Sequence, residues 1–378
     1  MSTVSRCHDD THAPPPADDG TAGQSHRDRA TEPGLTGYPC GEDVFLIAGT
    51  DADVPRAAIA NRQAGFYRDT CDPTLLCNKS HQHAVIRATD PLLAFEGWHV
   101  DDVADLATDP TSPLVLRPAY SFSSKGSALI IDHDRIPDSE DLQQLRAPAG
   151  GYQIHRHLPG RPIFVNGVMS GGAFSLADCW RCLVMPRGCR DILVSVVNLP
   201  RARLPDALTE RLARLAAAFG IDAGPLHFEL VETDHGPKCV KCAPRLATEP
   251  LPGLCRLAGI GGQTALFEAG LACAFRDPLP DAAEPDVFVA DYSFVADRHG
   301  LLRAMTGGDA IGALTSFDHI ALAPPIGRTI KATCDGYSYG ATFFLKHHDE
   351  TVIDADIAVL DTMNRAGPFW IAAPGDET

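Results

Sequence analysis

A chain of 378 residues, 44% of them hydrophobic, is long enough to bury the cores of two or three domains. Its formal charge of −17 and its scarcity of basic runs argue against nucleic acid and anionic membrane as partners, because both require clustered Lys and Arg; a small molecule is the expected ligand. No apolar run approaches the ~20 residues that span a bilayer, and Met1 to Gly20 holds no apolar stretch of the secretory kind, so a cytoplasmic location is expected.

Residues 1–37 are rich in Pro, Asp, Ser, Thr and Gly and read as a disordered tail, since they carry too little apolar surface to offset the entropy of ordering. A strand is expected at Asp43–Ala48 and a helix from Val54 to Ala64 that ends near Gly65. Ser112–Pro118, a Ser/Gly loop from Tyr120, and Ser127–Ile131 read as a hairpin folded over a ligand. Leu204, Leu208, Leu212, Leu215 and Phe219 recur at helical spacing, which predicts an amphipathic helix from Pro205 to Phe219 with Gly220 beyond its end; its leucines are core packing. Phe228–Val231 and Lys238–Cys242 read as short strands around the turn Asp234–Pro237, and Ile353, Ile357, Leu360 and Met363 mark a last helix.

The 12 cysteines are spread along the chain and read as reduced, mostly small core residues. Cys179–Cys182 and Cys239–Cys242 form two CxxC pairs, a zinc pattern weakened here by their long separation and by strand geometry, which sends positions i and i+3 of Cys239–Cys242 to opposite faces. His155 and His157 share a strand face without a third ligand nearby, a weak metal signal, and His347-His348 reads as solvated turn.

Several segments, in order, resemble the ATP-grasp carboxylate–amine ligases, in particular dipeptide (L-amino-acid) ligases and carnosine synthase, over residues 43–370. The run from Leu199-Pro200 through the Leu-rich helix to Ile221-Asp-Ala-Gly-Pro-Leu-His-Phe-Glu229, followed by Ala243-Pro-Arg-Leu246, is similar to the family's two ligand-bearing strands. Cys77-Asn-Lys79, Leu114-Val-Leu-Arg-Pro118, the loop Ser121–Ser127, the strand Ile154-His-Arg-His-Leu-Pro-Gly160 and Gly300–Gly307 resemble, respectively, its nucleotide lysine, phosphate strand, glycine-rich loop, adenine hinge and terminal subdomain. The resemblance implies an α/β (α+β) ATP-grasp fold: a truncated N-terminal α/β domain (38–100), a small lobe (101–160), a large lobe (161–285) and a small C-terminal subdomain (286–378). A trimmed N-terminal domain further suggests a homodimer that covers its exposed sheet edge.

It also implies ATP and Mg²⁺ as cofactors, with Lys79, Arg117, Ser124, Gly126, Ile154 and His155 around the nucleotide, Glu229 as metal ligand, Arg245 as the catalytic partner of a carboxylate or phosphate, and amino-acid-like substrates. Outside that resemblance, Glu229 would be a solvated strand residue, Arg245 the partner of a surface acid, and Lys79 and Arg117 ordinary surface cations. Two departures stand out: the family's second glutamate falls at Lys241, which donates and cannot ligate while charged, and the asparagine that often follows falls at Ala243. Two functions therefore compete, a ligase that joins amino acids or similar acids and amines through an acyl phosphate, and a catalytically degenerate relative that serves as a binding or partner subunit.

Overall fold

The computed structural model describes residues 31–101, 113–120, 129–131, 150–336 and 338–372. Its first strands, β1 (Thr31–Glu32), β2 (Leu35–Cys40) and β3 (Asp43–Ala48), form an antiparallel sheet in that order. β2 corrects the tail boundary expected at residue 37. Leu35 and Cys40 are buried, and the strand registers along the whole of β3, from Leu35 opposite Ala48 to Cys40 opposite Asp43. The apolar partner that holds it is Phe45 and Ile47 of β3, a contribution that the local composition of β2 does not reveal. Residues 1–30 of the expected tail lie outside the described residues.

A 3₁₀ turn at Asp51–Asp53 leads into α1 (Val54–Gln63), which carries Pro in its first turn and ends before Gly65 at φ +78°. Asn61 ties this helix to β3 by accepting from Leu46 N and donating to Leu46 O, both at 2.8 Å. α2 (Lys79–Thr89) starts at Asn78, whose side-chain oxygen accepts from His81 N at 3.0 Å. That cap satisfies an orphan donor of the first turn and fixes Lys79 as the first helical residue.

β4 (Gly97–Val100), β5 (Leu114–Pro118), β6 (Leu129–Ile131) and β7 (Tyr152–Arg156) form the small lobe, an antiparallel sheet of order β4-β7-β5-β6 around Leu114, Leu116, Leu129 and Ile154. The hairpin of β5 and β6 is as expected, with Leu114 opposite Ile131. β4 pairs with β7 and not with the N-terminal strands, so this lobe begins at Gly97 and not at 101.

The large lobe is built on the long strands β8 (Arg161–Ser170), β9 (Ala173–Arg187) and β10 (Arg190–Asn198). After them comes α3 (Leu208–Ala218), which buries Leu208, Leu212 and Leu215 as the spacing predicts. It starts at Leu208 and not at Pro205, because Ala207 takes a left-handed φ of +58° just before it. β11 (Gly224–Thr233) and β12 (Gly236–Ala243) are the expected strand pair, and α4 (Leu251–Ala258) and α5 (Gly262–Ala272) pack on the sheet. The remaining elements are β13 (Phe288–Phe294), β14 (Gly300–Met305), α6 (Gly308–Gly312), β15 (Phe317–Leu322), β16 (Thr329–Ile330), β17 (Ala341–His347), α7 (Glu350–Arg365) and β18 (Phe369–Ala372).

The C-terminal part is less separate than the resemblance implies. β13, β17 and β15 extend the large-lobe sheet, whose order is β12-β11-β8-β9-β10-β13-β17-β15, while only β16, β14 and β18 form a small sheet of their own. The reason is the apolar face of β13 and β17: Tyr292, Phe294, Phe343 and Leu345 are fully buried against Ile353, Ile357 and Leu360 of α7.

One irregularity decides the geometry of the site. Glu229 lies opposite Lys241, yet Leu230 lies opposite Cys239, so Val240 is an extra, bulged residue in β12. The bulge corrects the reading of Cys239–Cys242 as facing opposite ways: with Val240 inserted, both cysteines enter the same core and Lys241 is left on the other face. Cys179 and Cys182 enter two different cores. Among the described residues no group of three or more His, Cys, Asp or Glu side chains is arranged to hold a metal ion, and no helix is long and apolar enough to cross a membrane.

Candidate functional site

On the face of the large-lobe sheet opposite the α3 core, β11 presents His227 and Glu229, two residues apart and therefore on one side. The β12 bulge sets Lys241 beside Glu229, with Nζ 3.0 Å from Oε1. The same ammonium donates to Asp51 Oδ2 at 2.7 Å, and Asp51 Oδ1 accepts from Arg245 Nε at 2.5 Å. Asp51, from the turn that precedes α1, thus closes a chain of alternating charge, Glu229–Lys241–Asp51–Arg245, across 190 residues of sequence.

The small lobe approaches the same point. Arg117 of β5 is buried, donates through Nη2 to Gln153 Oε1, and reaches the carbonyl of the bulged Val240 at 3.4 Å, a link between the two lobes. Gln153 in turn donates to Lys79 O at 3.1 Å, and Lys79 Nζ lies 3.4 Å from Pro118 O. Next to these groups is a cavity of about 150 Å³, lined among others by Asp51, His227, Glu229, Lys241, Arg245 and Asp291. At about 30 Å³ per water it holds on the order of five waters, room for a small amino acid.

Burial and mutual repulsion shape the charges. Lys79 is pushed down to about 7, first by burial and then by the cations Arg117 and Lys241 beside it. Burial lowers Arg117 to about 10 and His155 to about 3, the latter with help from Arg117, so His155 is neutral. Burial alone would raise Glu229, but Lys241 holds it well below the carboxylate range; Asp51 is likewise held at about 2 by Lys241 and Arg245 against its own burial. Asp291 has no such cation among the described residues, and burial raises it to about 7. Among the described residues, four basic side chains, Lys79, Arg117, Lys241 and Arg245, face two ionised carboxylates, Glu229 and Asp51. Clustered buried cations suit an anionic ligand, which offsets the cost of taking them out of water.

Of the residues singled out in the sequence, Lys79, Arg117, Glu229 and Arg245 converge here. Ser124 and Gly126 lie outside the described residues. His155 sits in the small lobe with Nδ1 on Arg156 O at 2.8 Å and with its buried Nε2 without a hydrogen-bond partner among the described residues. Ile154 lies in β7, a central strand, flanked at this position by Trp98 and Leu116, with its side chain fully buried in the lobe core. Glu229, expected as a metal ligand, is already paired. Its Oε1 and the Oδ2 of Asp51 already accept from the Lys241 ammonium, so the residues present do not fit Mg²⁺ held between two carboxylates. The cationic set does fit a phosphate chain, which takes Lys and Arg donors.

Asp51, Gln153, Asn166, Asp178 and Asp291 carried no local signal and escape sequence reasoning. His227 stood inside the quoted strand motif, and its place two residues before Glu229 was the clue that could have drawn it into the site.

No family model matches the chain. It is 25% identical over 261 residues, 65% of its length, to the uncharacterized protein y4rH of Sinorhizobium fredii, and it spans about half (52%) of that relative. Among solved structures it resembles the L-amino acid ligase of Bacillus licheniformis, at 15% identity and a TM-score of 0.62, covering 86% of this chain and 79% of that one. Phosphoribosylglycinamide synthetase from Anaerococcus prevotii shares the fold at 9% identity and a TM-score of 0.53, with 86% and 81% covered. So does the biotin carboxylase domain of the Hydrogenobacter thermophilus 2-oxoglutarate carboxylase, a complex with MgADP and bicarbonate, at 14% identity and a TM-score of 0.54, with 85% and 72% covered.

Proposed function

From the ATP-grasp fold that this chain carries, we propose that it is an ATP-dependent carboxylate–amine ligase acting on amino-acid-like substrates. The observation that carries this reading is the cluster of basic side chains, Lys79, Arg117, Lys241 and Arg245, beside a cavity lined by Lys241 and Arg245. Lys79 and Arg117 hold the phosphate chain from the α2 and β5 sides, and Arg245 meets the substrate carboxylate at the cavity wall. ATP supplies the phosphoryl group that activates the carboxylate as an acyl phosphate; fixed cations stabilise the charge that develops. Lys241 neutralises Glu229 and Asp51, and no step is assigned to Mg²⁺.

The second reading, a non-catalytic relative that binds an anion, is favoured by that same lysine, which closes the metal position with two ion pairs. Incubating the protein with ATP, pooled amino acids and Mg²⁺ or EDTA, with ADP release and product mass as readouts, separates the two. Amino-acid-dependent ADP with a condensed mass, lost in Lys79→Met, supports the ligase. ATP binding by calorimetry without turnover supports the binding protein, and neither binding nor turnover refutes both.

A further inference from the structure

A polar row crosses the large-lobe sheet from the candidate site towards its far helices. His227 lies opposite Asn166 and Asn166 opposite Asp178, so the three side chains share one face. His227 Nδ1 is 2.7 Å from Asn166 Oδ1, and Asn166 Nδ2 donates to Asp178 Oδ1 at 2.5 Å. The direction of the row is fixed at its end. Asp178 accepts from Trp180 Nε1 at 2.5 Å, from Gln263 N at 3.1 Å and from Cys255 Sγ at 3.9 Å, and a carboxylate so placed is an acceptor only. The Asn166 amide must then turn its NH₂ to Asp178 and its oxygen to His227, which puts the imidazole hydrogen on Nδ1.

That leaves a lone pair on His227 Nε2, aimed at the site. Its neighbour is Glu229 Oε1 at 3.8 Å, another acceptor, which takes one hydrogen bond from Lys241 Nζ at 3.0 Å and keeps a second lone pair. Both residues line the cavity, and His227 is held in place by the Phe164 ring, 5.0 Å away between centroids. Burial disfavours the imidazolium, so the ring does not resolve the clash by taking a second proton. Two acceptors at the edge of a cavity define a place for a donor.

We infer that the amine of the substrate docks at His227 Nε2 and Glu229 Oε1, and that Asn166 and Asp178 are positioning residues that keep His227 in the accepting tautomer. This deepens the ligase reading and rests on it. An amine, neutral or charged, offers two N–H groups and spans acceptors 3.8 Å apart, whereas a hydroxyl donates to one of them and a carboxylate to neither. The order of the cavity follows: the cations Lys241 and Arg245 on one side, the acceptor pair on β11.

The test uses the full chain labelled with ¹⁵N-histidine, its His227 signal assigned by its loss in His227→Gln, and glycinamide as an amine probe that carries no carboxylate. Two-bond ¹H–¹⁵N spectra are expected to report the Nδ1–H form, and millimolar glycinamide to move the Nε2 resonance. In Asn166→Leu the single tautomer is expected to become mixed and the glycinamide response to weaken about tenfold. An Nε2–H ring in the unsubstituted protein overturns the relay, whatever the variant does, and an Nε2 signal indifferent to glycinamide overturns the amine site. ADP release is scored separately: an active enzyme with a silent Nε2 sinks this inference alone, and an inert protein whose Nε2 answers glycinamide sinks the ligase reading alone.

Discussion

Replacing Lys241 by Glu tests whether an ammonium is the resident cation of this site. At 3.0 Å from Glu229 and 2.7 Å from Asp51, each ion pair is worth about 5 to 6 kcal/mol of direct attraction at an effective dielectric of ~20, set against the desolvation of all three groups. Removing one member of such a buried set costs on the order of 3–5 kcal/mol. The glutamate adds a third carboxylate at the same point, so in EDTA the variant is expected to lose at least that much stability and to melt several degrees lower. With Mg²⁺ the balance reverses. Three converging carboxylates form an oxygen cage, and saturation to about 100 times the dissociation constant returns roughly 2.7 kcal/mol. Melting curves of both proteins in EDTA and in Mg²⁺ decide it. The unsubstituted protein is expected to show no metal shift and the variant a rise of several degrees; equal Mg²⁺ stabilisation of both would refute the claim that Lys241 fills the cation position.

Lys79, lowered to about 7 by burial and by its cationic neighbours, makes anion binding depend on pH. An anion selects the protonated form, so ATP affinity measured by calorimetry is expected to weaken as pH rises from 6 to 8, by up to about tenfold per unit above 7, and to lose this slope in Lys79→Met. Asp291, raised to about 7 by burial, works on stability with a definite sign. The folded state holds its proton more tightly than the unfolded one, so stability falls as pH climbs from about 4 through 7, by up to about 4 kcal/mol for a shift of this size; Asp291→Asn is expected to melt higher at pH 8 with a gain that shrinks at pH 5, and a gain independent of pH would refute the cause. Leu212, fully buried between α3 and the sheet, is expected to cost about 2–5 kcal/mol on Leu212→Ala, read from urea unfolding.

The strand Asp43–Ala48, the helices at Val54 and Leu208, and the pair β11–β12 were legible because each rests on a local device: alternation, a capping or breaking residue, a turn between two apolar runs. Lys241 in place of a carboxylate was legible too, by its count back from Arg245. Where the reading failed, the cause was pairing. β2 holds Gly and Pro, which weaken a strand signal, and is ordered by its partner, β4 belongs to whichever sheet its register selects, and β13, β17 and β15 join the large sheet through a buried face that their sequence shares with a separate subdomain.

The sequence by itself determined which chemical groups this protein has for a site: one carboxylate on β11, a lysine and an arginine after it, and cations at positions 79 and 117. Only the tertiary structure decided what those groups do to one another. The extra residue at Val240 turns Lys241 towards Glu229, Asp51 arrives from 190 positions away to bind both Lys241 and Arg245, and Asp178 fixes the imidazole of His227 across two strands. Side-chain alternation is a property of one strand, but the partner across a sheet is set by register, and a single bulge shifts that register without a mark in composition.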